Sequence, residues 1–187
     1  MPADVEAIVM GVSAGAVEAL TKLLPTLRPG FRLPIAIVVH VPADRRSAMA
    51  ELFRAKCALD VREAEDKEAL TPGTIYFAPP DYHLLVEADR TFSLSCDAPV
   101  LFSRPSIDVL FESAADAFGP RLIGIVLTGA NADGARGLKA IIDAGGQGIV
   151  QTPSSAFASA MPEAALGISP SAISMTLEAI AAYLAQI

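Results

Sequence analysis

The feature that most limits the fold of this chain is a set of short apolar runs that alternate with segments of helical character. The runs cover residues 7–12, 35–39 and 122–128. Apolar runs of about four to eight residues are typical of strands buried on both faces, and their alternation with helices indicates βαβ units. We therefore predict an α/β fold, with a doubly wound, mostly parallel sheet and helices on both of its faces.

Helical segments are predicted between and after these runs because their apolar residues recur at helical spacing. Breakers stand where two of these segments end, at Pro25 and Gly119. The predicted helices cover residues 16–24, 47–56, 106–118, 135–144 and 176–185.

The pattern changes in the middle of the chain, where three short strand-like segments lie close together. They cover residues 74–78, 82–87 and 91–96, and turn-forming residues separate them at Pro79-Pro80-Asp81 and Ala88-Asp89. Closely spaced strands that are joined by tight turns favour antiparallel pairing. We predict an antiparallel hairpin appended to the parallel sheet.

Composition limits the domain organisation and the partners. The chain has 187 residues, 52% of them apolar, which is enough to bury one core, so residues 1–187 are predicted to form one domain. The formal net charge is −7, and the 14 Lys and Arg residues do not supply a clustered basic face. Because binding to phosphates needs such a face, we expect no nucleic-acid partner.

Two further features concern the cellular compartment. Cys57 and Cys96 are far apart in sequence, and the first residues lack the basic and apolar regions of a secretory signal. No stretch approaches the ~18 to 20 unbroken apolar residues of a membrane span. We expect free thiols, a cytoplasmic location and no membrane insertion.

Each of the three apolar runs leads to a polar residue with catalytic chemistry. Ser13 and His40 come directly after the first two runs, and Asp133 lies in the Gly-rich loop after the third. Because the carboxyl ends of neighbouring parallel strands meet at one edge of a sheet, we expect these side chains to come together. Serine, histidine and aspartate form the triad of many hydrolases, so the sequence predicts a catalytic triad.

Ser13 lies in a G-x-S-x-G pattern, Gly11-Val12-Ser13-Ala14-Gly15, where a strand is predicted to turn into a helix. The glycines allow a sharp turn that exposes the serine Oγ, and the following backbone N–H can bind an oxyanion. The same turn could instead bind an anion at the helix N-terminus without catalysis. The motif alone leaves both interpretations open.

His40 is one of only two histidines in the chain. It closes an apolar run and is followed by Val41-Pro42, which places it at the carboxyl end of a strand, where it can act as a base. A buried structural histidine is the alternative interpretation. We interpret the other one, His83, as a surface or hairpin-packing residue and as the only replacement base if His40 is not the base.

Asp133 lies in a loop of small residues, 128–137, that leaves room for substrate. Its carboxylate can accept the Nδ1–H of the imidazole and hold the tautomer that serine activation needs. The alternative is a helix cap for the helix that begins at Ala135. The chain order Ser, His, Asp differs from the orders in trypsin-like, subtilisin-like and α/β-hydrolase enzymes, so a different fold must assemble this triad.

Several blocks of the sequence resemble, in order, the catalytic domain of the chemotaxis protein-glutamate methylesterase CheB. The blocks cover residues 8–15, 39–42, 75–86, 104–111 and 126–138, and the resemblance continues through 144–146 and 161–165. It implies a hydrolase that removes methyl esters from glutamate side chains of receptor signalling helices and in some members deamidates glutamine. By motif match, Ser13 is the nucleophile, His40 the general base and Asp133 its orienting carboxylate.

The resemblance also implies the partners and further site residues. The partner is a methyl-accepting chemoreceptor or a related methylated signalling protein, and no metal or other cofactor is needed. Backbone N–H groups near Ala14 and Ala130 are the expected oxyanion donors. Four arginines near these loops could hold an acidic helix, with solvated surface charge as the alternative. They are Arg45, Arg46, Arg104 and Arg136.

The chain departs from the family pattern at residues next to the triad. Family members usually have threonine and glycine where this chain has Ala14 and Ala16, glutamine and methionine where it has Val39 and Val41, and methionine in place of Ala130. Such changes reshape the pocket and keep the triad. The competing hypothesis is therefore a CheB-like binding or signalling module with weak or no catalysis.

Regulated family members also carry an N-terminal receiver domain that accepts a phosphoryl group. The catalytic strand of this chain is predicted within ten residues of Met1. We expect either a separate receiver-domain regulator, constitutive activity or a longer parent protein.

Overall fold

The computed structural model describes residues 5–40 and 48–187. Within these ranges the chain forms strands and α-helices that alternate along most of its length. In chain order they are β1 (Ala7–Val12), α1 (Ala16–Leu23), β2 (Ile35–Val39), α2 (Met49–Arg54), β3 (Asp60–Glu63), β4 (Thr74–Phe77), β5 (His83–Val86), β6 (Phe92–Ser95), α3 (Ile107–Phe118), β7 (Leu122–Val126), α4 (Ala135–Asp143), β8 (Gln147–Gln151), α5 (Ala160–Ile168), β9 (Ile173–Met175) and α6 (Leu177–Leu184).

Seven of the strands form one parallel sheet, in the order β3-β4-β2-β1-β7-β8-β9. Strands β5 and β6 pair antiparallel in a separate two-stranded sheet. The predicted fold class is confirmed, including the appended hairpin. The run predicted at 74–78 lies in the parallel sheet as β4, so only the other two short strands form the hairpin.

The three central strands are continuous apolar runs because both of their faces are covered. On β1, Ile8 and Met10 pack into a core with residues of α1, α2 and α6, whereas Ala7 and Val9 pack into a second core with residues of α3, α4 and α5. Every residue of β1, β2 and β7 is buried. Burial of this kind stabilises the strands that carry the site.

Four elements have no clear sequence signal, and their positions explain why. Strands β3 and β9 lie at the two edges of the sheet, and each has exposed residues that break the apolar run. Strand β8 (QGIVQ) has too few consecutive apolar side chains for a clear strand signal, because Gly148 stands where a Cβ would lie 2.7 Å from Ile142 Cδ1. Helix α5 contains Pro162, which is tolerated because it lies in the first turn of the helix.

Two observations concern the membrane and the thiols. In the part of the chain that the structure describes, no helix is long and apolar enough to cross a membrane. Cys57 and Cys96 are both free, as predicted.

Candidate active site

The carboxyl ends of three neighbouring strands carry the predicted catalytic residues. Ser13 follows β1, His40 follows β2 and Asp133 lies in the loop after β7, and β1 pairs with both β2 and β7. Backbone hydrogen bonds continue beyond the strands: the Ser13 N–H donates to Thr128 O (2.9 Å) and the His40 N–H to Val12 O (3.1 Å). The sheet therefore fixes the backbones of the serine and the histidine beside each other.

His40 and Asp133 are in direct contact. His40 Nε2 lies 2.7 Å from Asp133 Oδ2, and the side chain of Asp133 is fully buried. The sequence predicts that Nδ1 faces Asp133, and this is wrong. His40 and Asp133 meet across the end of β1, which lies between β2 and β7, and the nitrogen that meets the carboxylate is Nε2, the one farther from the backbone. The other ring nitrogen, Nδ1, does not face Asp133.

Ser13 Oγ makes no hydrogen bond to His40 within residues 5–40 and 48–187. In resting hydrolases this contact is often long and shortens only when substrate binds. The arrangement therefore has the three triad residue types at one edge of the sheet, with the histidine–carboxylate pair already formed.

The carboxylate of Asp133 also caps the N-terminus of α3. It accepts hydrogen bonds from the N–H groups of Ile107 (2.7 Å) and Asp108 (2.9 Å) and from Ser106 Oγ (2.9 Å). The alternative prediction, that Asp133 caps its own helix α4, names the wrong helix, since the N-cap of α4 is Gly134 with no side-chain cap bond. Asp133 thus combines a helix cap with the histidine contact.

These contacts hold Asp133 in its ionised form. Burial raises the pKa of Asp133, but the hydrogen bonds from His40 and from the N–H groups of Asp108 and Ile107 outweigh burial, and the net pKa lies below that of a free aspartate. A carboxylate that is negative at neutral pH can fix the imidazole tautomer and stabilise the imidazolium that forms when the ring takes a proton.

The glycines on either side of Ser13 are required for different structural reasons. Gly15 has a φ of 84°, and a Cβ there would lie 2.7 Å from Phe157 Cβ. Gly11 has no positive φ, but a Cβ there would collide with the Ile107 side chain at the start of α3. Ser13 itself has no positive φ. The G-x-S-x-G pattern therefore lets α3 and the loop of Phe157 approach the serine turn closely.

Two backbone N–H groups near Ser13 are candidates to bind an oxyanion. Ser13 O accepts a hydrogen bond from the Ala16 N–H (3.0 Å), so the planar trans peptide directs the Ala14 N–H the opposite way. Among the residues that the structure describes, neither the Ala14 N–H nor the Ala130 N–H has a hydrogen-bond partner. Both predicted donors therefore keep a free N–H at the site.

The CheB methylesterase family model matches residues 8–184. This chain belongs to the CheB methylesterase family. The resemblance predicted from the sequence blocks is confirmed. The prediction of an ester-hydrolysing enzyme is confirmed at the level of the family.

Similar proteins include members of very different length. A Leptospira interrogans protein, named for protein-glutamate methylesterase and protein-glutamine glutaminase, is 47% identical, and the match covers 94% of this chain and 91% of that protein. The Paramagnetospirillum magneticum "Protein-glutamate methylesterase/protein-glutamine glutaminase 1" is 37% identical over 88% of this chain and 44% of its own length. The Myxococcus xanthus "Protein-glutamate methylesterase FrzG" is 37% identical over 85% of this chain and 48% of its own length. The chain thus spans about half the length of the last two relatives.

A solved structure has the same fold. The crystal structure of the Thermotoga maritima CheB methylesterase catalytic domain superposes with a TM-score of 0.92 at 28% sequence identity, covering 97% of each chain. The CheB fold therefore extends over nearly all of this chain.

In this CheB family member a buried threonine joins the serine turn to a neighbouring loop. Thr128 Oγ1 donates to Ala14 O (2.8 Å) and accepts from the Ala158 N–H (2.9 Å). Gln151 Oε1 accepts from the Thr128 N–H (2.9 Å), and Gln151 Nε2 donates to Ser155 O (3.1 Å). Thr128 and Gln151 were not predicted as site residues, although a buried polar residue at the end of an apolar run is a signal that could have indicated them.

The four arginines that were predicted to hold an acidic substrate divide into two pairs. Arg45 and Arg46 lie outside the described residues. Arg104 donates from Nε (3.1 Å) and Nη2 (2.6 Å) to Asp81 Oδ1, and Arg136 donates from Nη2 to a glutamate of α3 (3.0 Å). Each described arginine therefore already pairs with a carboxylate of this chain, so binding of substrate by either stays a prediction.

His83 is the first residue of hairpin strand β5, and its side chain contacts the N-terminus of α3. Its Nδ1 accepts from the Ser106 N–H (3.1 Å), and its Nε2 lies 3.1 Å from Ala98 O. Because a backbone N–H only donates, Nδ1 carries no proton and Nε2–H donates to the carbonyl. His83 is 1% exposed, so its packing role is as predicted and the surface alternative is wrong.

A cavity of about 250 Å³ opens beside the serine turn. Its lining includes Gly15, Thr128, Gln151 and Phe157. Within the described ranges, no group of three or more His, Cys, Asp or Glu residues is arranged to hold a metal ion. Ser13, His40 and Asp133 are not among the residues that line this cavity.

Proposed function

We propose that this chain hydrolyses glutamate methyl esters on a methylated signalling protein, with Ser13 as nucleophile, His40 as base and Asp133 as the carboxylate that orients His40. The observation that carries the proposal is the 2.7 Å contact between His40 and a buried Asp133 at the strand ends next to Ser13. Family membership supports the reaction class, since the relatives named above are protein-glutamate methylesterases.

In the first half of the reaction, His40 Nδ1 takes the proton of the Ser13 hydroxyl while Oγ attacks the ester carbonyl carbon. The negative charge that develops on the carbonyl oxygen is stabilised by the Ala14 N–H, with the Ala130 N–H as a second donor. The bond to the methoxy group then breaks, and the proton on His40 passes to the leaving oxygen. Methanol leaves, and the glutamyl group remains esterified to Ser13.

In the second half, a water molecule attacks the acyl carbon and His40 again accepts a proton. The bond to Ser13 Oγ breaks, the serine recovers its proton from His40, and the glutamate carboxylate is released. The buried negative charge of Asp133 stabilises the imidazolium in both halves. An amide in place of the ester would release ammonia by the same steps, which extends the proposal to glutamine deamidation.

The substrate partner is inferred from the chemistry and from the relatives. Two of them are named for glutamate esters and glutamine amides of proteins. We infer a chemoreceptor or a related signalling protein that carries methylated glutamates on an accessible surface.

A second candidate function is a CheB-like binding module with little catalysis. It is favoured by one observation, since Ser13 Oγ has no hydrogen bond to His40 in the described part of the chain. In that case the serine turn would hold an anion or a receptor side chain through its free N–H groups.

Labelling with a fluorophosphonate separates the two candidates. An activated serine forms a covalent adduct, whereas a passive anion-binding turn does not. We expect one adduct per chain, located on Ser13 by peptide mass mapping and absent from Ser13→Ala. Ser171→Ala, an exposed serine in the loop before β9, is the matched control and should label like the wild type. Absence of labelling in the wild type would favour the binding module.

A further inference from the structure

The two helices that flank the site cap one another. Asp133, just before α4, accepts hydrogen bonds from the first N–H groups of α3, as described above. In return, Asp108 in the first turn of α3 accepts from the N–H groups of Gly134 (2.9 Å) and Gly137 (2.7 Å), both through Oδ1. Neither helix has a cap bond from its own N-cap side chain. Because the first N–H groups of a helix have no partner within it, each aspartate satisfies donors of the other helix.

This exchange of caps depends on very close packing of the two helix starts. A Cβ on Gly137 would lie 2.5 Å from Phe111 Cβ and 3.0 Å from the Asp108 Cα. Gly134 has a φ of 93°, and a Cβ on it would lie 2.7 Å from Ile107 Cγ2. The backbones at the two helix starts are therefore in near contact, so a change at Asp108 is transmitted directly to the residues next to Asp133.

We propose that Asp108 is a positioning residue for the triad: its carboxylate holds Gly134 and Gly137 on α3 and thereby fixes the direction in which Asp133 faces His40. The link is short, because Gly134 N belongs to the peptide unit that directly follows the Asp133 Cα. If that peptide unit rotates, the Asp133 carboxylate swings away from His40. This inference rests on the proposed function, in which Asp133 orients the base.

A negative charge on Asp108 is costly, because the carboxylate is buried close to a second buried carboxylate. Burial raises the pKa of Asp108, the Gly137 N–H lowers it, and the nearby Asp133 carboxylate raises it again, with a net increase. Asp108 Oδ2 is buried without a hydrogen-bond partner among the described residues, and Arg136 Nε is 3.9 Å away. An uncharged cap would avoid a second buried carboxylate beside Asp133.

Two substitutions and one control test the proposal. Asp108→Ala removes both hydrogen bonds, whereas Asp108→Asn keeps an acceptor oxygen that binds more weakly than a carboxylate. Leu138→Ala, at a fully buried position on α4, disturbs the same helix without removing a bond to the Asp133 loop. For each variant we would measure kcat and KM for ester hydrolysis, thermal stability and the ¹⁵N–¹H spectrum of the histidine rings.

The histidine spectrum is a direct readout because the chain has only two histidines. In the wild type, the Nε2–H of His40 bonds to a buried carboxylate, so we expect its proton to resonate far downfield and to exchange slowly. The Nε2–H of His83, which donates to Ala98 O, gives the internal reference. His40→Gln assigns the two signals.

We expect Asp108→Ala to lower kcat by about 10- to 100-fold with little change in KM and to lose the downfield signal of His40. Asp108→Asn should fall between the wild type and Asp108→Ala, and Leu138→Ala should lose stability but keep both kcat and the signal. The proposal is overturned if Asp108→Ala loses no more kcat than Leu138→Ala at matched stability, or if its His40 signal is unchanged. If Asp108→Ala does not fold, a wild-type kcat and signal in Asp108→Asn overturn it. Hydrolysis that persists in Ser13→Ala would instead defeat the proposed function.

Discussion

His40 meets Asp133 through Nε2, the ring nitrogen farther from the backbone, at 2.7 Å. Strand β1, which leads to Ser13, lies between β2 and β7, the strands that lead to these two residues. In the mechanism that we propose, the other nitrogen, Nδ1, exchanges a proton with the serine. Loss of the carboxylate should therefore change the tautomer of the ring as well as its orientation.

Asp133→Asn is expected to lower kcat by about 10⁴-fold, because an amide can present its NH₂ group to Nε2 and select the unproductive tautomer. Steady-state release of methanol from a methylated protein measures this loss. Asp143→Asn is the matched control, since Asp143 is an exposed residue of α4 that pairs with Lys139. A loss of less than about tenfold in Asp133→Asn would show that the carboxylate does not orient the base.

Asp133 and Asp108 are expected to contribute to stability with opposite dependence on pH. The folded-state pKa of Asp133 is lowered, so its stabilisation is present above the unfolded value of about 3.9 and is lost as pH falls through the folded value. The folded-state pKa of Asp108 is raised, so its contribution is greatest below about 3.9 and declines as pH rises through the folded value.

Urea unfolding of the wild type, Asp133→Asn and Asp108→Asn across the acid range measures this difference. The free energy of unfolding of the wild type minus that of Asp133→Asn should rise with pH. The free energy of unfolding of the wild type minus that of Asp108→Asn should fall with pH. Slopes of the same sign for the two variants would refute the assignment of the two carboxylates.

The parts of the fold and site that the sequence could predict depend on local patterns. Strands β1, β2 and β7 are apolar at every position because both faces are buried, so their ends, and with them Ser13, His40 and Asp133, were visible in the sequence. Edge strands such as β3 have exposed positions and give no such pattern.

The parts that could not be predicted depend on how distant segments meet. An aspartate before a helix usually caps that helix, and only the contact between α3 and α4 makes Asp133 and Asp108 cap each other's helix. The choice of Nε2 over Nδ1 likewise depends on how the His40 side chain is oriented toward Asp133, which a motif does not contain. Local patterns therefore indicate the residue types of the site, whereas tertiary packing determines their partners.

The hydroxyl of Thr128 is expected to support both stability and catalysis. Thr128→Val keeps the shape but leaves Ala14 O and the Ala158 N–H without this partner, which should cost about 1–3 kcal/mol in the free energy of unfolding. The rate of fluorophosphonate labelling of Ser13 should also fall, because the turn is held less firmly. Thr128→Ser, which retains the hydroxyl, should keep most of both properties. Equal behaviour of the valine and serine variants would contradict this role.

Gly15 is expected to tolerate no side chain. Gly15→Ala would place a Cβ at a φ of 84° and 2.7 Å from Phe157 Cβ. Gly30→Ala is the matched control, since its φ is 96° but no heavy atom lies within 4 Å of the added Cβ. The control should lose about 1–2 kcal/mol from the backbone alone, and Gly15→Ala should lose more, together with labelling of Ser13. Urea unfolding that gives equal losses would mean that the contact with Phe157 is unimportant.

The central claim is that Ser13 carries out ester hydrolysis on a protein substrate. The most direct measurement is methanol release from a methylated receptor signalling fragment by the wild type and by Ser13→Ala, with the folded state of both verified by thermal unfolding. We predict release by the wild type and release at the enzyme-free background by Ser13→Ala. Release at the wild-type rate by Ser13→Ala would contradict the role of Ser13 as nucleophile.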